Sequence, residues 1–158
     1  MSTELYNVAV GLLTRRDHSI KELRQKLTNK HASGFESEVV FGQALNTVID
    51  KLVDQGYLDE QRFVASYARY RAGSGFGPGR IHMELKERGI DPVLIDATLD
   101  DLSSSIDWHE VLHRTWEKKF RQPPLDFPEK VKQMRFLSYR GFTEAQIHEL
   151  LEGLKAVS

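Results

Sequence analysis

The strongest constraint on the fold is an internal repeat with a shift of 52 residues. Residues 88–91 (RGID) match residues 140–143 (RGFT), and in both a glycine is followed by an apolar residue and a helix-capping residue. The other matches at this shift are Leu85 with Leu137, Ile95 with Ile147, Leu99 with Leu151 and Leu102 with Leu154. A glycine that ends one helix just before a cap that starts the next predicts two short helices joined tightly. We therefore expect an array of small helical units, each stabilised by its neighbour.

Helix-start signals occur along the chain, and no stretch alternates between polar and apolar residues as a strand would. Residues 19–22 (SIKE) and 143–146 (TEAQ) each form a capping box, in which two side chains satisfy backbone N–H groups at the start of a helix. Gly77-Pro78 and Asp91-Pro92 place a proline at the first helical position, and Asp59 is suited to cap a further helix. These signals predict about nine helices.

The predicted fold class is all-α: a tandem array of three three-helix repeats in an elongated, curved chain. The repeats are expected to span residues 1–58, 59–105 and 106–158. The first repeat follows the plan of the second by role: Ser19 corresponds to Gly77, Leu23 to Ile81 and Leu27 to Leu85. Residues 31–40, which contain two serines and a glycine, are expected to form a mobile loop inserted into the first repeat.

The composition excludes several classes of protein. With 40% hydrophobic and 28% charged residues, the chain is expected to fold as a soluble globular protein. It has no cysteine, which excludes disulfides, cysteine zinc ligands and cysteine catalysis and fits a cytoplasmic location. Its first residues have helical spacing and flanking charges, so neither a signal peptide nor a membrane span is expected. We expect a monomer.

Charge alternates in sign along the chain although the formal net charge is only −1. Residues 15–30 and 62–88 each carry a net charge of +4, whereas residues 91–110 contain six acidic residues and no lysine or arginine. Basic residues return over 114–135. Such alternation suits a long partner surface, and solvated helix faces would produce it equally well. The near-neutral total argues against a protein that coats nucleic acid by bulk charge.

The glycine-rich stretch 73–79 (GSGFGPG) resembles a phosphate loop at first sight. A dinucleotide-binding loop needs a preceding strand, and a P-loop needs a lysine followed by serine or threonine; this stretch has neither. We interpret it as a connector between two helices. A free helix N-terminus next to Arg80 would still suit an anionic group of a partner.

Residues 109–113 (HEVLH) match the H-E-x-x-H pattern of zinc hydrolases, with Glu110 in the position of the general base. Counting 100° per residue, however, Trp108, Leu112 and Trp116 lie on the buried face and the histidines on its flank. The pattern also arises by chance in roughly 1–2% of chains of this length. We therefore favour surface histidines, and predict no metal site, no cofactor and no catalytic residue.

Aromatic residues recur on the helix that follows Asp59. Phe63, Tyr67 and Tyr70 are spaced to share one side of it. Because Tyr67 and Tyr70 neighbour Arg69, they are candidates for base stacking beside a phosphate contact, and core packing of the tyrosines is at least as consistent with the spacing.

Four longer segments carry a family resemblance. They are residues 16–27 (RDHSIKELRQKL), 56–63 (GYLDEQRF), 77–90 (GPGRIHMELKERGI) and 130–142 (KVKQMRFLSYRGF). In their order and spacing they resemble the signature segments of the RecX regulatory proteins, modulators of the RecA recombinase. The resemblance covers nearly the whole chain and is more specific than any single motif above.

The resemblance implies an all-helical array that binds RecA protein and RecA filaments on single-stranded DNA, in the filament groove or at a filament end. It implies inhibition of filament extension and of RecA's ATPase, strand-exchange and co-protease activities, in recombination and the SOS response. It implies no catalysis and no cofactor. Two alternatives stay open: a helical DNA-binding protein that acts without RecA, and a zinc hydrolase that uses the HEVLH stretch.

The basic patches supply the candidate contact residues. A central set consists of Arg62, Arg69, Arg71, Arg80, Lys86 and Arg88. Two flanking sets consist of Arg15, Arg16 and Lys26, and of Lys118, Lys119 and Arg121. We expect these cations to contact RecA, or to bind DNA directly and weakly.

Overall fold

The computed structural model describes residues 2–157, with side chains as far as residue 155. Over this part of the chain it contains nine α-helices, one short 3₁₀ helix and no strand, which confirms the all-α prediction. The α-helices are α1 (Ser2–Arg15), α2 (Ile20–His31), α3 (Glu38–Asp54), α4 (Glu60–Gly73), α5 (Pro78–Glu87), α6 (Pro92–Leu102), α7 (Trp108–Lys119), α8 (Phe127–Tyr139) and α9 (Glu144–Val157). We refer to α1–α3, α4–α6 and α7–α9 as the first, second and third units.

The two predicted capping boxes are both present. Ser19 Oγ accepts a hydrogen bond from the backbone N–H of Glu22 at 3.1 Å, and Glu22 Oε1 accepts one from the N–H of Ser19 at 3.2 Å. Thr143 and Gln146 exchange the equivalent bonds at 3.1 and 2.8 Å. Each cap stabilises its helix by about 1 kcal/mol, so the starts of α2 and α9 are set locally by the sequence.

The segment between α2 and α3 is shorter than the predicted loop. Helix α2 continues to His31, a 3₁₀ turn follows over Ala32–Gly34, and α3 begins at Glu38. Ser37 caps α3 by accepting a hydrogen bond from the N–H of Val40 at 3.2 Å. Only residues 35–37 therefore lie outside regular elements, because the cap starts the helix earlier than the apolar spacing indicates.

Of the two interpretations given for the tyrosines of α4, core packing does not hold for Tyr70. The buried residues of α4 are Phe63, Val64, Ala68 and Ala72, whereas Tyr70 is 70% exposed. The buried face is centred between Val64 and Ala68, roughly 140° around the helix from Tyr70. Two alanines, rather than a second tyrosine, form the later part of this face.

The buried side chains form two separate clusters. One lies within the first unit and includes Leu23, Leu27 and Leu52. The other is continuous through the second and third units, from Phe63 on α4 to Leu151 on α9. The accessible surface of 9813 Å² exceeds the value of about 8,100 Å² expected for a compact monomer of this mass. The array is therefore elongated. Within residues 2–157, no helix is both long and apolar enough to cross a membrane.

Backbone hydrogen bonds join the second unit to the third. The N–H of Gly77 donates to the carbonyl of Arg140 at 2.7 Å, and the N–H of Gly79 donates to the carbonyl of Gly141 at 2.9 Å. A Cβ atom on Gly77 would lie 2.7 Å from the carbonyl carbon of Gly141, and one on Gly141 would overlap Arg80. Glycine on both sides is what allows the two backbones to come this close.

Side chains, instead, join the first unit to the second. Lys21 Nζ donates to the carbonyl of Glu87 at 3.1 Å, and the backbone N–H of Ile20 donates to Glu60 Oε2 at 2.9 Å. Gly89, the repeat counterpart of Gly141, lies against Lys21, whose Cβ would be 2.8 Å from a Cβ atom added to the glycine. The residues that follow α5 and α8, the middle helices of their units, thus both contact the preceding unit. The bonds at the first joint involve side chains, whereas backbone groups bond directly to each other at the second.

Candidate partner-binding surface

Glu84 on α5 is the centre of a group of hydrogen bonds that includes two arginines of the central set. It accepts two bonds from Arg71 at 2.9 Å each, one from Arg80 at 3.1 Å and one from the Tyr67 hydroxyl at 2.9 Å. Burial opposes ionisation of Glu84, but these donors outweigh it and lower the pKa of the carboxyl group. Burial and the bond to Glu84 raise the pKa of Tyr67.

The same arginines surround the ring of Phe76, in the glycine-rich connector. The guanidinium carbon of Arg71 lies 3.8 Å from the ring centroid, that of Arg140 4.5 Å and that of Arg80 5.3 Å. Arg80 also donates to the carbonyl of Tyr139 on α8 at 3.2 Å. Arg71 and Arg80 therefore connect α4, α5 and α8 within the protein, and each such cation–π contact stabilises by about 0.5–2 kcal/mol.

Two further arginines of the central set also bond internally. Arg62 donates to Asp17 Oδ1 at 2.8 Å and to the carbonyls of Gly56 and Tyr57, across the first joint. Arg88 donates to the carbonyl of Glu84 at 3.3 Å and lies 4.7 Å from the ring of Tyr67. These contacts hold the side chains in place and use part of their hydrogen-bonding capacity.

Arg69 and Lys86 are the remaining members of the central set. Both are exposed, and neither makes a hydrogen bond or ion pair with another residue described in the structure. Tyr70, next to Arg69, is likewise exposed, so its ring is accessible beside a cation. Among the candidate residues on α4 and α5, these three side chains are exposed and make no hydrogen bond or ion pair with a described residue.

In the first flanking set, too, some cations bond within the protein and one has no internal partner among the described residues. Arg15 is exposed and has no partner in the described part of the chain. Arg16 pairs with Glu22 at 3.1 Å. Lys26 Nζ lies 2.9 Å from Nε2 of the buried His18, whose Nδ1 is 3.0 Å from the carbonyl of Arg16. Because the Lys26 ammonium group donates to Nε2, the His18 ring must be neutral, with its proton on Nδ1. Burial is the main cause that lowers the pKa of His18, and it favours this neutral form.

The second flanking set lies at the third unit. Lys118 and Lys119 line a cleft between the second and third units together with Arg114 and Arg140, two cations absent from the prediction. Arg121 follows α7 outside this lining, with a positive φ of 64°. The signals for the missed residues were available: Arg114 is one helical turn from Lys118, and Arg140 precedes Gly141 as Arg88 precedes Gly89.

The residues of the HEVLH stretch do not converge. His109 is exposed, His113 Nδ1 is 3.6 Å from Glu117 Oε2, and Glu110 Oε1 is 3.8 Å from Arg114. In the described part of the chain no group of three His, Asp or Glu side chains is arranged to hold a metal ion. His113 and Glu110 instead pair with neighbours one turn away on α7.

The start of α5 is not a free anion site, so that expectation is wrong. Gly77 and Gly79 donate their N–H groups to carbonyls of the third unit, as described above. The glycine-rich connector follows α4, a helix, and Gly77 is the N-cap of α5 with Pro78 after it. The glycines therefore serve the joint between two units.

Three family models match the chain: RecX, first three-helix domain, over residues 6–40; RecX, second three-helix domain, over 59–99; and RecX, third three-helix domain, over 106–151. Regulatory protein RecX of Pseudomonas fluorescens (strain SBW25) is 42% identical over 146 residues, 92% of this chain and 88% of the relative. That of Pseudomonas putida (strain GB-1) is 40% identical, covering 92% and 87%.

Two solved RecX structures have the same fold as this chain. The crystal structure of RecX from Lactobacillus salivarius superposes with a TM-score of 0.77 at 21% identity, covering 98% of this chain and 97% of that one. A second crystal structure of a regulatory protein RecX gives a TM-score of 0.72, with 96% and 73% covered. With three matching domain models and relatives at 40% identity or more along most of its length, the chain belongs to the RecX family of regulatory proteins.

Proposed function

We propose that this chain binds RecA filaments on single-stranded DNA and modulates them, mainly by inhibiting filament extension, ATPase activity, strand exchange and co-protease activity. Membership of the RecX family is the observation that carries the proposal. The elongated array, with charge of alternating sign, supports it because a filament presents a repeating charged surface. The chain is proposed to act as a cytoplasmic monomer, without a catalytic step or cofactor.

Among the candidate contact residues of the first and second units, we assign direct contact to the exposed cations without internal partners. On the second unit these are Arg69 and Lys86, and on the first unit Arg15. Arg71 and Arg80 are bound to Glu84, so their first role is to hold α4, α5 and α8 together. An exposed cation that is already solvated brings steering and specificity to an interface more than large binding energy.

The test is the single-stranded-DNA-dependent ATPase of RecA, measured with substoichiometric amounts of the chain. Wild-type protein is expected to slow the reaction, and the double variant Arg69→Glu/Lys86→Glu to do so only at tenfold or higher concentration. The matched control is Lys130→Glu/Lys132→Glu, which makes the same change in net charge outside the contact set and should act as wild type.

The outcomes separate the function from the surface. An unchanged ATPase rate, with filaments demonstrably present, would show that the chain does not regulate RecA. If both double variants slow the RecA ATPase as strongly as wild type does, the result would support the function and contradict the assignment of Arg69 and Lys86. No effect on RecA together with tight, salt-dependent binding to duplex DNA would favour the RecA-independent alternative.

A further inference from the structure

A basic cleft of about 490 Å³ lies between the second and third units. One wall is the end of α4 with the turn at Gly75, and the other walls are α7 and α8. Four cations line it: Arg114, Lys118 and Lys119 from α7, and Arg140 after α8. No acidic residue is among its lining residues.

These cations have few internal partners. Lys118 is exposed and has none in the described part of the chain. Arg114 lies 3.8 Å from Glu110, and because both groups are well exposed such a pair contributes about 0–1 kcal/mol. Arg140 donates one bond, to the carbonyl of Ser74 at 3.3 Å, of the five N–H donors that a guanidinium group offers. The cleft thus concentrates positive charge and free donors.

The surrounding structure holds the cleft in shape. Arg140 lies over Phe76 at 4.5 Å and over Phe136 at 5.2 Å, and its carbonyl accepts the 2.7 Å bond from Gly77 that joins the two units. A Cβ atom on Gly75 would lie 2.9 Å from the hydroxyl oxygen of Thr115, so the glycine keeps the turn against α7. Arg114 and Lys118 follow each other by one turn, about 6 Å along the helix axis.

The chemistry of the lining selects the ligand. Phe136 is already covered by Arg140 and by Lys119 at 5.4 Å, and Phe76 by three arginines, so neither ring is free to stack on a base. What the cleft offers is several cations and a guanidinium fork, which matches the geometry and multiple charge of phosphate. We propose that this cleft binds phosphate groups, from a nucleic-acid backbone or from a free polyphosphate, without contact to bases.

Because the second and third units both contribute walls, a phosphate bound there bridges the units and stabilises their joint by mass action. This role requires no RecA, so the proposal goes beyond the function proposed above and does not depend on it. It gives Lys118 and Lys119 a ligand of their own, distinct from the contacts assigned to Arg69 and Lys86.

The first experiment measures binding of a fluorescein-labelled oligothymidylate by anisotropy over a range of salt concentrations, with RecA absent. The variant Lys118→Gln/Lys119→Gln should bind about tenfold or more weakly than wild type. The slope of log affinity against log salt should fall in magnitude by about 1.4, because each of the two lysines neutralises one phosphate of the single strand and thereby adds about 0.7. Lys130→Gln/Lys132→Gln, a matched pair in the same unit outside the cleft lining, should leave the slope unchanged.

A second experiment identifies the source of the phosphate. Sodium tripolyphosphate is titrated by calorimetry into wild type and into the Lys118→Gln/Lys119→Gln variant, at constant ionic strength. Binding of the oligonucleotide alone identifies a nucleic-acid backbone, and comparable binding of tripolyphosphate identifies a free polyphosphate. Either result supports the proposal if the variant binds that probe about tenfold or more weakly than wild type. Any of three results would overturn the proposal. The two double variants could give equal salt slopes, wild type could bind neither probe, or it could bind polyglutamate in preference to both.

Discussion

The carboxylate of Glu84 accepts both hydrogen bonds of a bidentate pair from Arg71, at 2.9 Å each, and thereby joins α4 to α5. The same carboxylate also accepts from Arg80 and Tyr67. Glu84 therefore neutralises part of the charge that the sequence displays as a basic patch, and turns two candidate contact residues into structural ones.

Replacing Glu84 by glutamine should destabilise the protein by about 1–3 kcal/mol, because the side chains of Arg71, Arg80 and Tyr67 lose a charged and largely buried acceptor. The measurement is the free energy of unfolding in urea. Glu87→Gln provides the control, since Glu87 lies on the same helix, is exposed and makes no side-chain hydrogen bond with a described residue. Equal effects of the two substitutions would contradict the central role of Glu84.

The contribution of Glu84 should depend on pH in a defined direction. Its pKa is lowered in the folded state, so the unfolded chain binds a proton first as the pH falls. The stabilisation is fully present above the ordinary glutamate pKa of about 4.3 and is lost as the pH falls through the lower folded value. The stability difference between wild type and Glu84→Gln, followed from pH 7 to pH 3, should therefore shrink only below about pH 4.3.

As the pH is lowered, protonation of His18 should reduce the stability of the fold at a higher pH than protonation of Glu84 does. Its folded pKa is lowered, chiefly by burial, so the neutral form that accepts from Lys26 contributes fully above about pH 6.5 and the contribution declines below it. Wild-type stability should therefore fall as the pH drops below about 6.5, and His18→Gln should reduce this fall. The exposed His109→Gln serves as control and should leave the decline as it is in wild type.

Substitution by alanine should change the stability of the fold in opposite directions at Gly141 and at Gly11. Gly141 has a φ of +98° and a Cβ atom there would overlap Arg80, so Gly141→Ala should cost at least about 2 kcal/mol. Gly11 lies inside α1 with no atom near its potential Cβ, so Gly11→Ala should stabilise by about 0.5–1 kcal/mol. Thermal unfolding of both variants checks the pair, and a stable Gly141→Ala protein would refute the tight joint.

Much of the fold was predictable because its signals are local. The capping boxes at Ser19 and Thr143 and the glycine at 141 act within a few residues of the helices that they delimit. The start of α3 was missed because the apolar spacing begins after its cap. The proposed unit boundaries at residues 58/59 and 105/106 stay predictions.

The surface was less predictable because it depends on packing. Arg71 and Glu84 are 13 residues apart, and nothing in either helix alone shows that they meet. The same holds for Arg140 and Phe76, which meet only when the third unit docks on the second. Sequence identified the cations, and tertiary contacts then determined which of them are available.

The two joints differ in their bonding, and we expect them to differ in stiffness as well. The second and third units share a core and are linked backbone to backbone, so they resist bending as one stiff segment. The first unit has its own core and is joined to the second largely through the side chains of Lys21, Glu60 and Arg62. We therefore expect the chain to bend more readily between its first and second units than between its second and third.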